Sequence, residues 1–137
     1  KRAAGLFDKI IIGIGINSNK QPMFTLEQRI DWINEIFVDF PNVSVNSYEG
    51  LTIEYAQKIG AQFILRGIRN VGDFEYEKGI ADMNRKLYPE IETIFLTCIP
   101  EYSTISSTLV RDVIRYNHSV ESYVPKIVND SIFENKK

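Results

Sequence analysis

The sequence predicts an α/β protein built on a doubly wound parallel sheet with helices on both faces. Three observations predict it. Short, almost wholly apolar runs recur, such as residues 9–16 and 62–65, the pattern of strands buried on both faces. Between them lie stretches with apolar residues at helical spacing. The two kinds alternate along the chain, which implies parallel strands joined by helical crossovers.

The elements follow in order. Residues 1–7 read as the end of a helix rather than the start of a domain, as if an element preceded Lys1. Residues 9–16 form the first strand. Thr25-Leu26-Glu27-Gln28 matches a capping box, and Leu26, Ile30, Ile33 and Phe37 make the apolar stripe of the helix it opens, which Pro41 closes. Residues 42–45 alternate as a short strand. Residues 51–59 read as a helix with Gly60 placed to terminate it. Residues 62–65 form a buried strand, residues 72–87 a long helix before Pro89, and residues 92–99 another strand. Ser106 supplies N-cap chemistry for a helix whose apolar face is Leu109, Val110, Val113 and Ile114. A last helix starts near Val124-Pro125, with proline at its first turn.

Composition bounds the function. The 137 residues are 44% hydrophobic, 12% aromatic and 25% charged, the balance of one ordinary globular domain spanning residues 1–137. A net charge of −2 argues against a strongly basic nucleic-acid binder while permitting a local basic site. No run of about 18 apolar residues suggests a membrane span, and no signal-peptide pattern opens the chain. The single cysteine, Cys98, excludes an internal disulfide and a Cys-rich zinc site, and fits a reducing cytoplasm. The single histidine, His118, leaves few ligands for a histidine-based metal site and no spare general base. The expectation is therefore no protein metal site.

Three places can carry anion chemistry. Ligands of open α/β sheets bind beyond the carboxyl ends of the strands. Lys20 lies in the loop after the first strand; it reads either as a phosphate ligand or as a solvated lysine. Arg66-Gly67-Ile68-Arg69 follows the strand ending at Leu65, where two planar donors around a bare backbone suit a phosphate, or serve as surface ion pairs. Tyr102-Ser103-Thr104-Ile105-Ser106-Ser107-Thr108 brings hydroxyls and free N–H groups to a helix start; an ordinary N-cap accounts for only some of them. The acidic start of the helix over residues 72–87, Asp73 to Glu77, is explained by the helix dipole alone. Taken together, these groups point to a phosphorylated ligand.

The segments Asn19 to Arg29, Ile64 to Arg69, Asp73 to Glu77, Met83-Asn84-Arg85 and Ile105 to Arg111 resemble the bacterial phosphopantetheine adenylyltransferases, of the nucleotidyltransferase superfamily with a Rossmann-like fold. The resemblance covers nearly the whole chain. Arg-Gly-Ile-Arg and Asp-Phe-Glu-Tyr-Glu carry the family signal, while the Ile105 segment is shared more widely. It implies transfer of AMP from ATP to 4'-phosphopantetheine, giving dephospho-coenzyme A and pyrophosphate with Mg²⁺ assisting, in the cytoplasm. By position, Lys20 and Arg66 match residues holding the pantetheine phosphate, and Leu51 and Thr52 the wall of the pantetheine arm. Gly67, Ile68, Arg69 and Glu77 match nucleotide contacts, and Tyr102 through Thr108 the segment around the ATP phosphates. Lys20 and Arg69 are the implied catalytic pair. A homohexamer of two trimers is implied, together with binding of coenzyme A or dephospho-coenzyme A, but no nucleic-acid or membrane partner.

The family's opening strand, its Gly-(Thr/Ser)-Phe-Asp-Pro turn and a Gly-His pair have no match here. The expectation is a chain truncated by roughly twenty residues, about one strand, a turn and a helix start. Tyr102 stands where tryptophan is common, and Thr52 where a larger apolar residue is. Two alternatives remain open: another nucleotidyltransferase of the superfamily, acting on a nicotinamide nucleotide or an alcohol phosphate, or a nucleotide- or coenzyme A-binding module without turnover.

Overall fold

Strands and helices alternate in the computed structural model, which describes residues 1–17 and 21–133. The order is β1 (Ile10–Ile16), α1 (Leu26–Ile36), β2 (Val43–Glu49), α2 (Thr52–Lys58), β3 (Phe63–Ile68), α3 (Val71–Leu87), β4 (Glu92–Thr97), α4 (Ser107–Arg115) and α5 (Lys126–Phe133). β3 and β4 are parallel, from Phe63 opposite Glu92 to Ile68 opposite Thr97. β1 and β2 pair as a second two-stranded sheet. This is the Rossmann-like α/β alternation that the sequence predicts. No described helix is long and apolar enough to cross a membrane. The chain divides into two compact units, residues 1–48 with 106–137, and residues 49–105.

In the first unit, the capping box forms as read. The Gln28 N–H donates to Thr25 Oγ1 at 3.2 Å and the Thr25 N–H to Gln28 Oε1 at 2.9 Å, so removing the Thr25 hydroxyl costs about 1 kcal/mol. α1 stops at Ile36, five residues short of Pro41. Phe37 leaves the helical region and packs edge-on against Phe40, 5.7 Å between ring centres. The proline therefore follows a turn rather than breaking a helix. β2 runs on to Glu49, beyond the expected residue 45. Its polar Asn46 and Ser47 are tolerated because β1 satisfies the backbone. Tyr48 lies against Gly15, where an added Cβ would meet the phenol oxygen at 3.3 Å. The first residues form a 3-10 turn, Arg2–Gly5. It is held by Asn42, whose Nδ2 donates to the Ala4 and Phe7 carbonyls at 2.8 and 3.0 Å. α5 begins one residue after Pro125, whose carbonyl accepts from the Val128 N–H at 2.9 Å.

In the second unit, Ile53, Ala56, Ile64 and Ile91 form the core, with Ala61 and Tyr88 packed against them. Truncating Ile53, almost fully buried, to alanine costs roughly 2–5 kcal/mol. Gly60, at φ +69°, ends α2 as expected. The Ala61 N–H reaches the Ala56 carbonyl at 2.9 Å and the Gly60 N–H the Gln57 carbonyl at 3.1 Å, the paired bonds of a left-handed helix stop. β3 continues to Ile68, three residues past the predicted end, because parallel pairing with β4 carries on and the Cys98 N–H then caps the Ile68 carbonyl. β4 ends at Thr97, two residues short of the expected 99. Pro100 opens a separate 3-10 turn there, Pro100–Tyr102.

Candidate functional site

The extended β3 changes where the Arg-Gly-Ile-Arg motif sits. Arg66, Gly67 and Ile68 are strand residues, and only Arg69 lies beyond the strand. Alternation puts Arg66 on the same side of β3 as Ile64 and Ile68. Both isoleucines are buried and Arg66 is half exposed. Its guanidinium is met by Glu77 of α3: Nε donates to Oε2 at 2.8 Å and Nη2 to Oε1 at 2.5 Å. This two-point geometry is the strongest that an arginine and a carboxylate can form. Glu77 is only 9% exposed.

Arg69 is held in the same manner one turn earlier on α3. Its Nε donates to Asp73 Oδ2 at 2.8 Å and its Nη2 to Asp73 Oδ1 at 3.1 Å, while its own backbone N–H adds a bond of 3.1 Å to Oδ2. Nη1 donates to the Ile105 carbonyl at 2.8 Å. The hydrogen bond from Arg69 holds the Asp73 carboxyl below the usual carboxylate range, against a smaller opposing effect of desolvation. Asp73 in turn raises the Arg69 guanidinium further above its already high value. Arginine has five N–H donors. Three are engaged, so two remain for a ligand among the described residues, enough for a fork on phosphate oxygens.

The turn at the start of α3 makes this arrangement local. Asn70 caps the helix, its Oδ1 accepting from the Asp73 N–H at 2.9 Å. That cap fixes the residue that faces Arg69. Gly67 lies between the two arginines, and a Cβ added there would meet nothing within 4 Å. No packing or positive φ calls for a glycine at this point, and the open backbone suits the close approach of a ligand.

Thr52, at the start of α2, lines a small pocket of about 70 Å³ with Arg66, Glu77, Asn84 and Thr93. Leu51 precedes it as the exposed N-cap residue. Three residues implied from sequence, Thr52, Arg66 and Glu77, thus share one cavity. Asn84, quoted above only within the Met83-Asn84-Arg85 segment, was given no role. It is 5% exposed, and its side chain faces the same cavity. The available signal was an asparagine seven residues after Glu77, on the same helical face.

The hydroxyl-rich segment is partly occupied by its own backbone. Tyr102 is exposed on the 3-10 turn. Ser103 Oγ donates to the Pro100 carbonyl at 2.7 Å. In the other unit, Ser106 Oγ accepts from the Leu109 N–H at 3.2 Å and caps α4, and Thr108 Oγ1 accepts from Arg111 at 3.3 Å. Turn and cap chemistry therefore accounts for more of these hydroxyls than expected. The Thr104 and Ser107 hydroxyls have no hydrogen bond among the described residues. Arg69 and the 102–105 segment are brought together through Ile105. Lys20 lies outside the described residues.

Residues 1–113 match the model of the cytidylyltransferase-like family. A phosphopantetheine adenylyltransferase of Caldanaerobacter subterraneus is 42% identical over 137 residues, all of this chain and 86% of its own. The protein of that name in Flavobacterium psychrophilum is 56% identical over 128 residues, 93% of this chain and 84% of its own. The one in Bacteroides fragilis is 48% identical over 126 residues, 92% and 83% of the two chains.

Proposed function

Because the chain belongs to the phosphopantetheine adenylyltransferase family of cytidylyltransferase-like proteins, we propose that it is a nucleotidyltransferase moving AMP from ATP to 4'-phosphopantetheine. The products are dephospho-coenzyme A and pyrophosphate. The observation that carries the site is the pair of arginines at the carboxyl end of β3, each clamped by a carboxylate of α3.

An oxygen of the acceptor's phosphate attacks the α-phosphorus of ATP. The new P–O bond closes a phosphoanhydride as the bond to the β-phosphate oxygen breaks, and pyrophosphate leaves with the electron pair. Alignment and charge neutralisation carry such a step, and no protein nucleophile is needed. Arg66 and Lys20 hold the acceptor's phosphate. Thr52 and Leu51 border its arm. Arg69, fixed by Asp73 and Ile105, takes charge developing on the pyrophosphate. Gly67 and Ile68 border the nucleotide, and Tyr102 through Thr108 surround its phosphates.

Mg²⁺ belongs to this reading. No three acidic, histidine or cysteine side chains come together as a cation cage among the described residues. Mg²⁺ would be held chiefly by the ATP phosphates, where it would help neutralise their charge. No residue's role here depends on it. The proposal further takes residues 1–137 as one nucleotidyltransferase domain, acting in the cytoplasm as a homo-oligomer, a hexamer by resemblance. Exposed Tyr76, Met83 and Leu87 support the last point. At 100° per residue they fall within about 40° of one another on α3, an apolar strip suited to another copy.

The test is a substrate panel. The protein is given ATP and Mg²⁺ with 4'-phosphopantetheine, a nicotinamide mononucleotide or an alcohol phosphate, and pyrophosphate and adenylylated product are measured. Product with 4'-phosphopantetheine alone is expected. Turnover confined to the nicotinamide nucleotide overturns the assignment, and ATP binding without pyrophosphate release from any acceptor favours a binding module.

A further inference from the structure

We propose that the first unit holds a binding site for a small amphipathic anion, a molecule with a planar apolar body and one carboxylate. The site is a cavity of about 420 Å³ among α1, the turn before it, α4 and α5. That volume lies within the range of small-molecule sites, roughly 300–1,000 Å³. All of its lining residues belong to the unit of residues 1–48 with 106–137, whereas Arg66, Arg69 and α3 belong to the other unit. The inference does not depend on the transfer reaction proposed above.

Local sequence shapes two sides of the cavity. Gln28 folds back to cap its own helix, its Oε1 accepting from the Thr25 N–H at 2.9 Å. At the end of α4, Asn117 turns left-handed at φ +58°. The Asn117 N–H reaches the Ile114 carbonyl at 2.9 Å and the His118 N–H the Val113 carbonyl at 3.1 Å. These are the paired bonds of a helix stop, in which asparagine stands in for glycine. Phe24 and Trp32 meet edge to face, 4.9 Å between ring centres and 73° between planes. Two rings so placed make a corner rather than a closed stack. Ile114 and Ile132 add aliphatic wall, and Met23 a side chain that adapts its shape to an occupant.

The polar chemistry of α1 and α4 at this cavity is donor chemistry. Gln28 has spent its carbonyl oxygen on the cap, which leaves its NH2 group to offer. The indole N–H of half-buried Trp32 has no hydrogen bond among the described residues, and an indole can only donate. Arg115 gives one of its five N–H donors to Asp112, at 3.0 Å, and no other among the described residues. The Ser131 hydroxyl donates to the Val128 carbonyl at 3.0 Å. Donors beside an aromatic corner suit an acceptor-rich end on a flat apolar body. A carboxylate meets that need with two oxygens and with charge opposite to that of Arg115. A cationic ligand of the same shape would meet the Arg115 charge instead.

The test is titration with naphthoate, with naphthamide as its uncharged analogue and naphthylmethylammonium as its cationic one. Trp32 is the chain's single tryptophan, so one indole N–H resonance reports on the site, and calorimetry gives the affinity. Naphthoate should shift that resonance with a Kd below about 1 mM. Naphthamide should bind at least ~5-fold more weakly, and the ammonium compound more weakly still. Arg115→Gln should weaken naphthoate at least ~5-fold, and Trp32→Leu at least ~10-fold by calorimetry. Saturating ATP or 4'-phosphopantetheine should leave its Kd within about twofold, because a separate, uncoupled site has no linkage to theirs. Thermal melts verify folding. Should Trp32→Leu melt early, Trp32→Phe carries the comparison, since it keeps a ring and removes the N–H; a loss of about threefold is then expected. No shift up to about 5 mM naphthoate, an affinity far below that of a formed small-molecule site, overturns the proposal. So do equal affinities for the three probes, or a Kd indifferent to Arg115→Gln. Displacement by ATP or 4'-phosphopantetheine overturns it in favour of a substrate site. Binding that occurs only as the sedimentation mass falls overturns it in favour of a second copy covering the cavity.

Discussion

Arg69 meets Asp73 edge to edge, through Nε at 2.8 Å and Nη2 at 3.1 Å, and spends a third donor on the Ile105 carbonyl. The guanidinium is thereby oriented before any ligand arrives. Asp73→Asn keeps the shape but removes the charge and half of the acceptor capacity. We expect kcat/KM for ATP to fall by roughly 10-fold, about 1.4 kcal/mol of transition-state binding, with the acceptor's KM little changed. Kinetics of the variant with each substrate varied in turn check this.

The same pair sets a pH dependence of stability. Asp73 has its folded pKa lowered by Arg69. Such a group contributes fully above the unfolded carboxylate value, about 3.9, and its contribution is lost as pH falls through the folded value. The stability difference between the parent protein and Asp73→Asn should stay level from neutral pH down to about 5 and close in stronger acid. Urea denaturation at a series of pH values measures it. A difference that widens on acidification contradicts the assignment.

Gly67 offers a separation of folding from function. Nothing of the protein's own stands within 4 Å of a Cβ added there. Gly67→Ala should leave the melting temperature within a degree or two, since its φ is not left-handed, and should raise the KM for ATP several-fold. A neutral effect on ATP would return the glycine to an ordinary strand position.

Arg66→Ala should weaken use of 4'-phosphopantetheine more than ATP binding, read by comparing the acceptor's KM with the ATP Kd. Lys20→Ala should cost at least ~10-fold in kcat/KM, about 1.4 kcal/mol. A neutral result makes Lys20 a solvated loop lysine.

Leu87 is 49% exposed on the apolar strip of α3. If another copy covers that strip, Leu87→Glu should lower the sedimentation mass of the protein without unfolding it. An unchanged mass would remove this strip from the interface.

Much of the architecture was legible because it rests on local signals. The Thr25 capping box, the Gly60 stop and the Ser106 cap each depend on a few adjacent residues, and each forms as read. Strand ends were less legible. β2 and β3 run past their predicted ends because partners far along the chain satisfy backbone that looks polar or glycine-rich by itself. At the site, the sequence marked the arginines, and Glu77 as an implied nucleotide contact, but it marked neither carboxylate as a clamp. The acidity of Asp73 had a sufficient explanation in the helix dipole, and only the fold brings Glu77, eleven residues on, under Arg66. Asn84 was quoted in a matching segment but given no role for the same reason: burial belongs to the packed structure.

Asp73 and Glu77 stand one helical turn apart on α3, about 6 Å along the axis. With each carboxylate gripping its own arginine, α3 behaves as a ruler. The gap between the two cationic grips is graduated by helix pitch and not left to the reach of flexible side chains. One residue inserted between the two marks would swing Glu77 about 100° around the axis and leave Arg66 unclamped while Arg69 kept its partner. On the roles proposed for Arg66 and Arg69, the spacing of the phosphate groups seated together would be written into a single uninterrupted helix.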